Sequence, residues 1–241
     1  MIERWIRIGC VCAAAALASA AHAATERQDA DSAFSRELAE AEATMPDPAH
    51  GAALFNTCAQ CHGAHRTGVG GAWIPEIAGQ YRSVLEKELI DYRHGRRWDL
   101  RMEMIAGRHV LKTTQDIVDV AAYASALAPF AQSRTGSGQW LAQGERLYQA
   151  RCTSCHGRAG EGSMGRAVPR IAGQSYDYLL RQLHDSLEGR RPNMSPVHPQ
   201  ALRHLGMEQL TGLADFLSRF EPGPAAAQTI TAAPPGRIAQ P

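Results

Sequence analysis

Twenty-five basic and 24 acidic residues in a chain of 241 leave a formal net charge of +1, and Lys87 and Lys112 are the only lysines. With no basic run and few aromatic residues, the composition excludes a nucleic-acid-binding face. The length admits one large domain or two small ones.

At the N-terminus, Arg4 and Arg7 precede an apolar stretch from Ile8 to Ala20, and Ala21-His22-Ala23 follows with the small-x-small pattern of an export-signal cleavage site. The stretch is short and alanine-rich for a membrane span. Residues 1–23 are therefore expected to be a signal peptide, with the mature chain starting at Ala24 outside the cytoplasm; a retained anchor is the alternative. Cys10 does not read as a lipoprotein site, because the apolar run continues past it. Residues 24–45 carry six acids and two arginines, with Phe34, Leu38, Ala41 and Met45 at helical spacing. That segment is either an acidic helix laid on the next domain or a solvated lead-in.

Removal of the signal takes Cys10 and Cys12 with it and leaves Cys58, Cys61, Cys152 and Cys155. Exported cysteines first suggest disulfides, but the spacing gives another answer. Cys58-Ala59-Gln60-Cys61-His62 and Cys152-Thr153-Ser154-Cys155-His156 are both C-x-x-C-H, the signature of c-type haem attachment. Two thiols at that spacing add across the porphyrin vinyl groups as thioethers, and the adjacent histidine is then held under the iron. This composition produces the motif by chance about 0.006 times per chain, so two copies are not an accident. A zinc knuckle would want further Cys or His nearby, and a thioredoxin-like pair would sit in a βαβ pattern.

The two motifs lie 94 residues apart, Cys58 to Cys152, and their surroundings repeat at that offset. Pro75-Glu76-Ile77-Ala78-Gly79-Gln80 answers to Pro169-Arg170-Ile171-Ala172-Gly173-Gln174. Leu85, Leu89, Asp91 and Gly95-Arg96-Arg97 answer to Leu179, Leu183, Asp185 and Gly189-Arg190-Arg191. Each copy is small enough to have a meagre core of its own, and a buried haem supplies the missing apolar volume.

Within each copy a short helix (51–57; 144–151) is expected to lead into the haem motif, and a second to cover 81–94 and 176–188. A third begins near Thr114 or Met207. Its apolar stripe is Ile117, Val120, Ala124 and Leu127 in one copy, and Leu210, Leu213, Leu217 and Phe220 in the other. Both stripes read as core packing. With no alternating strand pattern, the fold class is all-α, two tandem domains related by duplication. Residues 46–130 form domain 1, 131–138 a linker, 139–221 domain 2, and 222–241 a disordered Pro/Ala-rich tail.

The occupant of the remaining axial position on each iron separates electron carriers from catalysts. In domain 2 Met194 lies in Arg191-Pro192-Asn193-Met194-Ser195-Pro196, a proline-braced loop suited to presenting a thioether. In domain 1 the strict offset falls on Leu100, so the loop differs in length, and Met102 or Met104 could serve. Met164, eight residues past His156, reads as a loop residue. His65, His94, His109, His198 and His204 read as surface residues, with His109 and His198 nearest the ligand loops.

With these motifs in hand, residues 46–220 resemble the class I c-type cytochromes, and as a tandem the two-haem cytochrome c4 type. The resemblance rests on the paired C-x-x-C-H-G, P-x-I-A-G-Q and G-R-R segments and on Met194-Ser195-Pro196. Met102-Glu103-Met104-Ile105-Ala106 fits the family's M-x-x-I-A with Met102 as ligand. The resemblance implies two covalently bound haem c groups, with iron ligands His62, Met102, His156 and Met194. It implies haem edges that are close across a pseudo-two-fold interface. Pro75 and Pro169 carbonyls are expected to accept from His62 and His156. The implied function is a periplasmic carrier of single electrons, from a quinol-cytochrome c oxidoreductase to a terminal oxidase, partners that include membrane-associated complexes. A dedicated cytochrome subunit serving a separate dehydrogenase is the alternative, and a small haem peroxidase a third reading.

Overall fold

The computed structural model describes residues 2–63, 73–129 and 134–223, with side chains from residue 22 onward. The helices, in chain order, are α1 Ile2–Ala43, α2 Pro48–His62, α3 Arg82–Arg93, α4 Leu100–Ala106, α5 Thr114–Ala126, α6 Leu141–Arg151, α7 Thr153–His156, α8 Tyr176–Leu187, α9 Val197–Leu202 and α10 Met207–Ser218. A 3-10 turn covers Met164–Arg166. Among the described residues the only β pairing is an isolated bridge between Ser163 and Val168, and the fold is all-α. The expected signal cleavage point, Ala23–Ala24, falls inside the continuous α1. His65, residues 131–133 of the linker and residues 224–241 of the tail lie outside the described residues.

Each domain is built on a crossing of its first and last helices, α2 on α5 and α6 on α10. Both crossings are so close that only glycine fits. A Cβ on Gly51 would lie 2.0 Å from the Asp119 carbonyl oxygen, and one on Gly144 would lie 1.9 Å from that of Gly212. The stripes expected to pack do so: Ile117, Val120 and Ala124 are buried in one core, and Leu210, Leu213 and Leu217 in the other. Phe55 packs on Tyr123 at 5.3 Å between ring centroids, and Tyr148 packs on Phe220 at 5.2 Å.

Helix starts follow capping chemistry. Asp47 accepts from the amides of Ala49 and His50 at the head of α2, with Pro48 at the first helical position. At α5, Thr113 and Asp116 form a reciprocal capping box. A buried aspartate on each last helix then ties down the chain leading into the first. Asp119 accepts from the Asp47 amide at 2.6 Å and pairs with His50 at 2.8 Å. Asp215 accepts from the amides of Gly136 and Gly138 at 3.0 and 2.6 Å.

The acidic N-terminal segment is a helix packed on domain 1. Phe34 and Ala41 are buried, and the Glu37 carboxylate, 4% exposed, receives Arg93, His94 and Arg108. Burial pushes Glu37 up; the His94 hydrogen bond and the Arg93 charge outweigh that and hold it below the usual carboxylate range. His94, expected on the surface, is thus a partly buried partner of this carboxylate, because α1 covers its face of α3.

The two domains meet through a charged cluster. Arg97 donates to Glu88 at 2.6 Å and, across the interface, to the Tyr178 hydroxyl at 2.9 Å and Gln182 at 3.2 Å. Arg191 donates to Gln182 at 2.7 Å and, in the other direction, to Glu88 at 2.7 Å. Since Arg97 matches Arg191 and Glu88 matches Gln182 in the repeat, each arginine bridges its own helix and the facing one, which is two-fold symmetry in the contacts themselves. The symmetry is broken in charge, with two guanidiniums around one carboxylate. Burial raises Glu88, and Arg191 and Arg97 more than offset it, bringing its pKa down to about 2.

Candidate functional site

Cys58, Cys61 and His62 occupy the last turns of α2, which runs unbroken through the motif. This differs from the short lead-in helix expected from the sequence. In domain 2 the helix breaks at Cys152 and resumes as the single turn α7, carrying Cys155 and His156. Thr153 returns its hydroxyl to the Gln149 carbonyl at 3.0 Å, a back-bond that competes with regular helix at that point. Both motif histidines are followed by a glycine with positive φ, Gly63 at 83° and Gly157 at 79°. That conformation turns the chain sharply away from the histidine and is open to glycine without strain.

All four motif thiols are unpaired. Cys61 and Cys155 are exposed, and Cys58 and Cys152 are half-buried. Burial pushes Cys58 and Cys152 up to about 11. Among the described residues, no three His, Cys, Asp or Glu side chains gather where they could hold a metal ion. The zinc alternative therefore lacks a ligand set there.

The histidines are set for one tautomer. His62 Nδ1 lies 2.9 Å from the Pro75 carbonyl oxygen, and His156 Nδ1 lies 3.2 Å from that of Pro169. A carbonyl only accepts, so each Nδ1 carries the proton and each Nε2 keeps its lone pair. Burial lowers the pKa of both rings and outweighs the proline carbonyls, which act the other way. Two neutral imidazoles, each held by a backbone carbonyl and beside two free thiols, fit a covalently bound haem and its iron.

The segments expected to supply the sixth ligand arrive beside these histidines by different routes. In domain 1 the loop is replaced by α4, and its N-cap Asp99 lies close enough to His62 to raise the ring's pKa. Asp99 caps the amides of Arg101 and Met102, at 3.1 and 3.4 Å. Met102 is half-buried on this helix, whereas Met104 is 56% exposed. In domain 2 Met194 is half-buried in the turn before α9, its amide donating to the Arg191 carbonyl at 3.2 Å. Met164 and His109 are exposed, as is His204. His198 departs from expectation: its ring packs edge-on against His156, with centroids 6.0 Å apart, because α9 turns it inward.

Comparison with known proteins finds a family match in each half of the chain. Residues 48–128 match the model described as cytochrome c, and residues 139–217 the one described as cytochrome c oxidase, cbb3-type, subunit III. Cytochrome c4 of Pseudomonas aeruginosa is 33% identical over 159 residues, covering 61% of this chain and 74% of the relative. The chain belongs to the dihaem cytochrome c4 family. The crystal structure of reduced recombinant cytochrome c4 from Pseudomonas stutzeri superposes with a TM-score of 0.64 at 25% identity, covering 73% of this chain and all of that one. A thiosulfate dehydrogenase electron acceptor of Stutzerimonas stutzeri is 35% identical over 144 residues, 56% of this chain and 65% of the relative. Membership in the cytochrome c4 family, with one cytochrome c domain in each half, brings two covalently bound haem c groups.

Proposed function

We propose that the chain is an exported electron carrier whose haems are attached through Cys58 and Cys61 in domain 1 and through Cys152 and Cys155 in domain 2. His62 and Met102 would hold the iron of one haem, and His156 and Met194 that of the other. Domain 1 spans 46–130 and domain 2 spans 139–221, with the signal peptide, 1–23, removed on export to the periplasm. The single observation carrying this reading is the pair of motif histidines whose Nδ1 atoms both donate to a proline carbonyl, beside free thiols at haem-attachment spacing.

The haem supplies one-electron iron chemistry; the protein sets its orientation and surroundings. Pro75 and Pro169 fix the ring planes of the histidines and raise their basicity. Half-buried Met102, against exposed Met104, supports Met102 as the inward thioether of domain 1, and the proline-flanked turn at Met194 restricts that side chain's approach. Thioether ligands would suit the haem to electron transfer. Among the described residues no helix is long and apolar enough to cross a membrane.

Electrons pass, on this reading, from a quinol-oxidising complex to a terminal oxidase. The likeness to a thiosulfate dehydrogenase electron acceptor favours a second reading, in which a separate dehydrogenase is the donor. The oxidised protein should show the methionine–iron charge-transfer band at two-haem intensity and bind no carbon monoxide when reduced. A half-intensity band with rapid carbon monoxide binding would place a reactive haem in one domain and overturn the carrier reading.

A further inference from the structure

The repeated P-x-I-A-G-Q segments do more than turn the chain. Gln174 Oε1 accepts from the Glu76 amide at 3.0 Å, and its Nε2 donates to the Glu76 carbonyl at 3.0 Å. Gln80 does the same to Arg170, accepting from its amide at 2.9 Å and donating to its carbonyl at 2.8 Å. Gln80 matches Gln174 and Glu76 matches Arg170 in the repeat, so the two pairs are one contact made twice. Each glutamine oxygen also accepts the next amide in its own chain, Tyr81 or Ser175, which fixes the side chain's direction.

The Glu76 amide belongs to the same peptide group as the Pro75 carbonyl, which accepts from His62. The Arg170 amide likewise shares its peptide group with the Pro169 carbonyl, which accepts from His156. A peptide group is conjugated, so an acceptor on its N–H moves electron density onto its oxygen. That oxygen then takes the imidazole N–H more strongly and makes the ring a more basic ligand.

We propose that Gln80 and Gln174 are positioning residues acting in trans: Gln174 of domain 2 tunes the histidine of domain 1, and Gln80 of domain 1 tunes that of domain 2. This rests on His62 and His156 being the iron ligands. The interface is thereby coupled to both redox centres, and separating the domains releases both histidines from the same constraint. A more basic histidine stabilises the oxidised iron, so loss of either glutamine raises the potential of the haem in the opposite domain. The effect is larger at His62, whose hydrogen bond to its proline is the shorter.

The test uses the holo-protein in Gln174→Met and Gln80→Met variants, with each haem's potential followed by the paramagnetically shifted resonances of its own domain. Gln174→Met is expected to move the electron distribution between the haems a few-fold toward domain 1, and Gln80→Met toward domain 2. The Nδ1 proton resonance of the affected histidine shifts in the same crossed pattern. A change confined to the glutamine's own domain, equal changes in both, or none, overturns the proposal. Strong paramagnetic shifts on the ring protons of His62 and His156 themselves, which only iron-bound imidazoles show, separate these outcomes from failure of the ligand assignment. Should the variants fail to accumulate, hydrogen exchange in the unsubstituted protein decides: slow exchange at the Glu76 and Arg170 amides is expected, and fast exchange at both removes the contact on which the proposal stands.

Discussion

The two halves of this chain solve the same problem with different supports. Domain 1 carries its C-x-x-C-H motif on one unbroken helix, places Met102 on α4, and is roofed by α1 through Glu37, Arg93 and His94. Domain 2 breaks its helix at Cys152, places Met194 in a turn, and has His198 packed on the motif histidine. What stays constant is the glycine-mediated helix crossing, the histidine–proline hydrogen bond and the buried aspartate that anchors the incoming chain. The constant parts hold the motif histidine; the variable parts surround it.

If the α1 roof is particular to domain 1, Glu37→Ala breaks the comparison most sharply. It leaves Arg93, which is 4% exposed, without its buried carboxylate. Removing one partner of such a pair costs about 3–5 kcal/mol. Domain 1 should melt earlier while domain 2 keeps its transition, as followed by haem-specific absorbance during heating. A parallel loss in both domains would mean that they unfold as a single unit.

The interface comes next. Glu88→Gln gives each arginine a glutamine on either side and leaves Arg97 and Arg191 with no carboxylate between them, which should weaken domain association by up to about 3 kcal/mol, the low end of the cost of breaking a buried pair. The same group sets an acid limit. Glu88 is held at about 2 against an ordinary value of 4.5, so its contribution is present above 4.5 and is lost as pH falls toward 2. Denaturant melts across that range should show a slope that Glu88→Gln reduces; an unchanged slope would assign the acid sensitivity to other carboxylates.

The smallest effect lies at His50. Its hydrogen bond to Asp119 raises the ring's pKa above the usual 6.5 despite some burial. The stabilisation is full below 6.5 and fades as pH rises through the raised value. Domain 1 alone should lose a little stability over that interval, and His50→Gln should remove the dependence. Domain 2 anchors the same chain segment with backbone amides on Asp215, which do not titrate there.

Much of this was legible in the sequence because it is local. Cys58 to His62 and Cys152 to His156 announce themselves by spacing, the Ile117 and Leu210 stripes by period, and the duplication by offset. The motif helix in domain 1 extends further than its local pattern shows, and α4 and α9 are short elements whose form depends on packing. His198 reads as a surface residue until α9 turns it inward. Gln80, Gln174 and the two arginines are visible only as repeated letters and Glu88 not even as that, because their partners lie far away in sequence and meet only when the domains dock.

Everything rests on each half of the chain holding its own porphyrin through two thioether bonds. Pyridine haemochrome titration against polypeptide concentration tests that most directly, together with the mass of the acid-denatured chain. Two covalently retained haems per chain are expected, falling to one when Cys58 and Cys61, or Cys152 and Cys155, are replaced by alanine. A wild-type chain with a single retained haem, or none, would contradict the account.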